Sequence, residues 1–457
     1  AEARKIWQTP LNPVQVLRQS ETLSFSIRLP IELVTDTYTV NLNTEDGQTF
    51  VHSFVPVDET LAHVAELDDV EFHEYIIALP FDVPLGYHEL VLLGEGADEP
   101  LCSMRIIMAP NKCFIPEAIE KGKKIWGLSV QLYCVRSENN WGMGDFTDLA
   151  NLTAKAAESG AEFIGLNPIH ALYPANPDAC SPYGPSSRRW LNYLYLDVTA
   201  LPYYDDEHVQ AVVSTDDFQQ QLAAARGTDF IDYAAVAGLK LPALSAVFDI
   251  YYEKHLKTNT KQNREFKAFV EAGGESLDML AVYDTLQEKL AEEGKPSWGW
   301  PVFPDEFKEY HKPEVAAFKK KNKKRVTFFL FLQWQAAIQL QAASDVAVAS
   351  GMSVGLYRDL AVGVSEGSAE IWGNKDLYCV GASVGAPPDI LGPLGQNWGL
   401  PPMDPHKLYE QKYQPFIDLF ASNMAGSGAL RIDHVMALLR LWWVVKGDHA
   451  KNGGYVY

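Results

Sequence analysis

From Leu23 to Leu29 apolar and polar residues alternate, with Leu23, Phe25, Ile27 and Leu29 on one face. Tyr38, Val40 and Leu42 repeat the pattern. A period of two is the signature of a half-buried strand, because successive side chains point to opposite faces. Further short apolar runs at 74–79, 87–93 and 103–108 are spaced by Pro and Gly. Val83-Pro84-Leu85-Gly86-Tyr87-His88 reads as the turn into a late strand. About seven short strands in this length predict an immunoglobulin-like sandwich over residues 1–115. A structural role and an accessory carbohydrate-binding role are both open for it.

The pattern changes after Ala109-Pro110. Lys124 to Val130 predicts a buried strand, and Asp145 or Thr147 caps a helix that ends near Gly160. Ala161 to Asn167 predicts the next strand, so a β-α-β unit starts a parallel sheet. Residues 206–350 are helix-rich, with three- and four-residue apolar spacing in Phe218–Arg226, Leu244–Leu256 and Leu277–Glu293. The basic run Lys319 to Arg325 reads as a solvated helix end, and a long helix follows from Val326 to Ser350. Val354 to Tyr357 is strand-like. A Gly- and Pro-rich loop then runs from Gly363 to Pro405. An amphipathic helix carries Tyr409, Tyr413, Phe416, Ile417, Phe420 and Met424 on one face, and the strand Ala429 to Ile432 closes the series. Parallel strands near 125, 162, 354 and 429 with helices between them fit a (β/α)8 barrel. A doubly wound sheet is the alternative. The expected division is 1–115 and 116–457, with a helical insertion at 206–350.

Composition narrows the partners. A net charge of −21 argues against nucleic acid or an anionic membrane and fits a neutral substrate. Five cysteines, an odd number without a C-x-x-C pair, favour a reducing cytoplasm over a disulfide framework. No run of 18 apolar residues predicts a membrane span. No signal peptide starts at Ala1, although the absent initiator Met leaves the true start open. The eleven His residues show no metal-ligand spacing, so neither metal nor cofactor is expected.

The densest chemistry lies in Leu430-Arg431-Ile432-Asp433-His434. Arg431 and Asp433 share a strand face and reach a barrel mouth together. A guanidinium beside a carboxylate favours the ionised acid, which suits a nucleophile better than a general acid. A structural salt bridge explains the same spacing. The loop Ala386 to Pro401 exposes Asp389, Gln396, Asn397 and Trp398, side chains suited to sugar hydroxyls and to stacking on a pyranose. Asn167-Pro168-Ile169-His170-Ala171-Leu172-Tyr173 and Ser181-Pro182-Tyr183 line the same mouth on this topology. Two decoys fail. Gly381-Ala382-Ser383-Val384-Gly385 matches a nucleophile elbow, but Pro387 and Pro388 block the helix that must follow Ser383. Gly142-Met143-Gly144 lacks the third glycine and the acid of a dinucleotide fingerprint.

These stretches carry a resemblance. From Lys124 onward the chain resembles the amylomaltases, the 4-alpha-glucanotransferases of the alpha-amylase clan. The resemblance rests on Ser137 to Phe146, Gly165 to Ala171, Ser181 to Arg189, Gly355 to Leu360, Gly385 to Pro401 and Leu430 to His434, in that order. It implies retaining transfer of alpha-1,4-glucan segments between maltooligosaccharides. Asp433 is then the nucleophile and Arg431 its ionising partner. His434, Ser181 and Tyr183 contact the donor sugar, and Asp389, Gln396, Asn397 and Trp398 lie on the loop over the cleft. The family's acid/base Glu sits in a Gly-Glu-Asp-Leu-Gly context that this sequence does not contain. The expectation is therefore an accessory domain plus the first half of a barrel, inactive by itself. An alpha-amylase-type hydrolase and a glucan-binding polypeptide are the alternatives. Maltooligosaccharides or starch-like glucans are the expected partners.

Overall fold

The structure is a computed structural model and describes residues 2–97 and 99–457. The chain divides into two compact units. One comprises residues 1–115 and 405–417, the other residues 116–404 and 418–457. A single boundary near residue 115 therefore does not delimit the first unit. Lys5 Nζ meets Glu410 Oε1 at 2.6 Å, and Lys412 Nζ donates to Ser103 Oγ at 3.1 Å. These contacts tie the 405–417 segment to the first unit.

Among its described residues the first unit is a sandwich of eight strands, where about seven were expected. Its five-stranded sheet runs Val14–Arg18, Cys102–Ala109, Gly86–Leu93, Tyr38–Asn43, Thr49–Phe54, and its three-stranded sheet runs Ser24–Pro30, Val70–Ala78, Thr60–Leu67. The alternation that predicts the strands also fills the core: Phe25, Ile27, Leu29, Tyr38, Val40 and Leu42 are all buried. Val14–Arg18 pairs in parallel with Cys102–Ala109, which joins the two ends of the unit.

The second unit is mixed α/β. Four parallel strands, Leu128–Val130, Phe163–Leu166, Gly355–Leu360 and Ala429–Ile432, lie side by side in chain order. The order has no reversal, so there is no switch point of the kind that defines a doubly wound sheet. The first strand is three residues long and largely exposed, not the seven-residue buried strand expected, because it is an edge strand with one neighbour. Gly428 admits the last strand, since a Cβ there would lie 1.6 Å from the Val354 carbonyl oxygen.

The helix after the first strand is Phe146–Glu158. Asp145 and Asp148 form a reciprocal capping box at its start. Between the second and third strands lie long helices, including Tyr233–Tyr251, Lys261–Glu292 (broken at Gly274) and Lys323–Ala349. Phe248, Tyr251, Phe331 and Trp334 interlock in their shared core. The basic run bridges to Asp278, Asp249 and Glu288, as expected of a solvated helix end. The segment Tyr233–Leu256 is long and apolar enough to cross a membrane, but half of it is buried in this core. All five cysteines are free thiols.

The stretch expected as a loop from 363 to 405 holds two strands. Ala382–Ala386 and Gln396–Leu400 pair with each other, and Leu441–Val445 and Gly454–Val456 extend them into a four-stranded antiparallel sheet. The single amphipathic helix expected at 409–424 is two helices, Pro405–Glu410 and Gln414–Met424. Lys412 and Tyr413 between them take left-handed backbone conformations, which no α-helix can pass through.

Candidate active site

Asp359 and Arg431 are register partners on the third and fourth parallel strands. Side chains two residues apart on a strand share a face, so Asp433 follows Arg431 to the same side. The guanidinium joins both acids. Arg431 Nη1 donates to Asp359 Oδ2 at 2.7 Å, and Nη2 donates to Asp433 Oδ1 at 2.9 Å. The two carboxylates differ sharply in access: the Asp359 side chain is 1 % exposed and the Asp433 side chain 23 %. Burial, with help from the Asp433 charge, pushes Asp359 up to about 6 against the pull of Arg431. The Asp359 charge, more than any other group, holds Arg431 above its ordinary range.

Two acids with different environments resemble an acid and nucleophile pair. Asp359 does not fit the acid's part. It lies beneath Arg431, and its exposure leaves no route to a glycosidic oxygen. It fits a group that orients Arg431 from below. Asp359 is not among the site residues expected from the sequence. Its register opposite Arg431 appears only once the strands are paired.

Behind the acids a second network fixes the segment after the third strand. His170 Nε2 accepts the Ala361 N–H at 3.2 Å. Burial, reinforced by Arg358 and Arg188, keeps this ring well below its ordinary range, so it is neutral with the proton on Nδ1. Arg188 pairs with Glu370 at 2.7 Å and donates to the Val362 carbonyl at 3.0 Å. Burial raises Glu370, but Arg188 and Tyr378 outweigh it and the net shift is downward. Arg358 points to the opposite face from Asp359 and donates to Asn423 Oδ1 at 3.1 Å and the Ser422 carbonyl at 3.0 Å.

His434 ends the pentad in a left-handed conformation, φ 47° and ψ 57°. That backbone is strained for a residue with a Cβ and recurs where a side chain must be aimed. Nε2 lies 3.6 Å from Asp433 Oδ2. The other face of the ring meets Trp398, with centroids 4.6 Å apart and planes tilted by 36°. Trp398 is carried on Gln396–Leu400, and its indole N–H donates to Gln396 Oε1 at 2.9 Å.

The residues predicted from sequence are therefore not equally placed. Arg431, Asp433, His434, Trp398 and Gln396 form one connected group. Tyr183 is 41 % exposed, accepts from Asn167 Nδ2 at 3.1 Å and lies within the electrostatic reach of Arg431. Asn397 is turned to local use, accepting the Gly399 N–H at 3.0 Å. Asp389 accepts the Gly392 N–H and closes the exposed turn that carries Ile390 and Leu391. Ser181 is exposed at a turn closed by the Gly184 N–H, and among the described residues its hydroxyl makes no hydrogen bond to the acidic group.

The pattern of the family described as 4-alpha-glucanotransferase matches residues 130–457, and that of the MalQ N-terminal beta sandwich domain matches residues 10–110. A 4-alpha-glucanotransferase of Haemophilus influenzae is 42 % identical over 84 % of this chain and 54 % of its own length. One of Mycobacterium tuberculosis is 35 % identical over 100 % of this chain and 61 % of its own. The crystal structure of amylomaltase from Corynebacterium glutamicum superposes with a TM-score of 0.81 at 29 % identity, over 100 % of this chain and 60 % of that one. The chain thus spans between half and two thirds of the length of these relatives.

Proposed function

The chain belongs to the 4-alpha-glucanotransferase family, and from that premise we propose that Asp433 is the nucleophile of a retaining glucan transfer. Its carboxylate attacks the anomeric carbon of an alpha-1,4-linked glucosyl unit, and the bond to the leaving sugar oxygen breaks. The 4-hydroxyl of a second maltooligosaccharide then takes the glucosyl group from the aspartyl ester. The observation that carries this is the guanidinium of Arg431, which joins a buried acid to an accessible one. It holds and aims the Asp433 carboxylate while Asp359 fixes the guanidinium from the closed side. His434 and Trp398 supply an apolar ring surface with polar edges beside the reacting carbon. Transfer exceeds hydrolysis when an acceptor sugar is positioned and water excluded.

Retaining chemistry also uses a second carboxyl group about 5 to 5.5 Å from the nucleophile. Asp359 is not assigned to it, for the reason of access given above. The four strands in unreversed order support membership of a (β/α)8 barrel, with the site at its carboxyl-terminal mouth. Free thiols and a neutral substrate fit a cytoplasmic enzyme of maltodextrin or glycogen metabolism.

An activated donor tests the nucleophile separately from the acid. A 5-fluoro-alpha-glucosyl fluoride needs no proton for its leaving group: the bond from C1 to the Asp433 oxygen forms and fluoride departs. We expect one added glycosyl mass on the peptide containing Asp433, and none in Asp433→Asn. Labelling that persists in Asp433→Asn would remove the assignment. With maltotriose, longer oligosaccharides together with free glucose indicate transfer, and reducing ends growing alone indicate hydrolysis.

A further inference from the structure

A recess of about 320 Å³ opens at one end of the sandwich. Residues 19–23 and 79–85 form its sides, and both segments carry the chain from one sheet to the other. The sandwich family's pattern runs from residue 10 to residue 110, so the recess lies wholly inside that domain.

The two sides are held in place. The Leu79 N–H donates to the Leu23 carbonyl at 2.9 Å, and the Gln19 N–H donates to the Ala109 carbonyl at 2.8 Å. Leu23, Leu79 and Met108 make a buried apolar floor. Phe81 forms a half-buried wall, and its ring packs on Phe50 with centroids 5.0 Å apart. The rim is polar, with Gln19, Glu21, Thr22 and Asp82 exposed on it. Glu21 is fixed by its own turn. Its Oε2 accepts the Arg18 N–H at 2.7 Å, and its N–H donates to the Arg18 carbonyl at 2.9 Å. Its second oxygen, the Asp82 carboxylate and the Gln19 amide have no protein partner among the described residues.

The lining selects by charge. It holds two acids and no Lys or Arg, which repels a phosphate, a phosphorylated sugar or an acidic chain. A calcium ion asks for about six to eight oxygens, and the Leu, Met and Phe surfaces supply none. A ligand that fits has an apolar face edged by hydroxyls. A pyranose has both. Carboxylate oxygens accept from neighbouring hydroxyls, and a carboxamide donates and accepts at once. A carboxylate already held in place loses less freedom on binding. The volume is at the lower end of small-molecule pockets, ~300–1,000 Å³, and suits a short segment.

We propose that this recess is a sugar-binding site of the sandwich, in which Glu21, Asp82 and Gln19 hold the hydroxyls of a short neutral alpha-glucan segment against Phe81. The choice of sugar rests on the glucan-transfer reading of Asp433. A site on the accessory unit raises the local concentration of glucan around the enzyme.

The test follows methionine methyl groups by NMR in the Asp433→Asn protein, which leaves the sugar unconsumed. Met108 floors the recess, and Met436 lies two residues past His434 and reports on the mouth. Met108→Leu and Met436→Leu assign the two signals. We expect maltotriose to shift the Met108 signal saturably. Asp82 is exposed, so Asp82→Ala should fold. It should weaken the Met108 titration by about tenfold or more, the scale of a hydrogen bond to a charged group, and leave the Met436 titration as it was. A Met436 shift without a Met108 shift overturns the sandwich site and leaves the transfer reading standing. A Met108 shift without a Met436 shift supports the sandwich site and counts against the transfer reading. No shift of either signal overturns both. Methylammonium chloride that moves Met108 at lower concentration than maltotriose makes the recess a cation site and overturns the proposal. An unchanged Met108 titration in Asp82→Ala overturns the assigned contacts.

Discussion

The sandwich and the mouth of the parallel sheet use the same period-two rule to opposite ends. In the sandwich, the inward positions are Phe25, Ile27, Val40, Leu42, Ile77 and Leu90, each 1 % exposed or less. Its buried charges, Arg28 and Glu74, meet each other at 2.9 Å. At the ends of the parallel strands the inward positions are Asp359, Arg431 and Asp433. There Asp359 Oδ1 has no hydrogen-bond partner among the described residues, and behind the acids the same holds for Arg358 Nε and His170 Nδ1. His434 adds a left-handed backbone. Native interiors rarely leave polar atoms in that condition. The first region fills its inward positions with apolar side chains, and the second fills them with charges joined by one guanidinium.

The largest way to break this contrast is to damage the sandwich alone. Ile27 is fully buried between the sheets. Ile27→Ala should cost about 2–5 kcal/mol of the first unit's stability through lost burial and a residual cavity. Denaturant unfolding measures it. Labelling of Asp433 by the glycosyl fluoride should be unchanged on the folded fraction. A matching fall in labelling would show that the two regions do not act separately.

The next effect lies at the mouth. Arg431→Lys keeps the charge but replaces two separate donor nitrogens with one point charge. An ammonium cannot hold Asp359 and Asp433 in the same geometry as a guanidinium fork. The rate of Asp433 labelling should drop about 100-fold, which is ~2.7 kcal/mol in the barrier. The loss should fall on the rate of the bound complex more than on donor affinity. A variant retaining a third or more of the rate would reduce Arg431 to a structural salt bridge.

How much of this was legible in the sequence depends on how local the information is. Alternation at Phe25, Ile27 and Leu29 is a local signal, and so is a helix cap at Asp145 or Thr147, of which the structure uses Asp145. The strands near 162, 354 and 429 were visible because strand and helix periods switch between them. The strands Ala382–Ala386 and Gln396–Leu400 were hidden, since Leu441–Val445, which pairs with the first of them, lies roughly sixty residues further on and proline and glycine dominate between the two. The break at Lys412 and Tyr413 was hidden too. A left-handed pair of non-glycine residues has no composition signature, and Tyr409 and Tyr413 kept helical spacing across it. At the site, the pentad announced itself by its charges. The role of Asp359 needed a partner on another strand, and no spacing rule along one segment could supply it.

The smallest effect is also the most specific to the mouth. Asp359 stands at about 6 in the folded protein, chiefly because it is buried. Unfolded, it titrates near the ordinary value of about 3.9. Between these values the folded protein keeps a proton that the unfolded chain has released. Its contribution is therefore fully present below about pH 4 and is lost as the pH rises through 6. Asp359→Asn cannot titrate, so the variant should gain on the parent as pH climbs from 4.5 to 7.5. We expect a gain of about 1–2 kcal/mol, less than the full shift because Arg431 links the acid to solvent. Thermal unfolding of both proteins at the two pH values measures it. Glu74→Gln, which removes the carboxylate that meets Arg28 at 2.9 Å in the sandwich, is the matched comparison. A stability difference for Asp359→Asn that stays flat across this range, or runs the other way, would mean that Asp359 is ionised throughout. It would then be an ordinary salt-bridge partner of Arg431, and the mouth would be no different in kind from the sandwich.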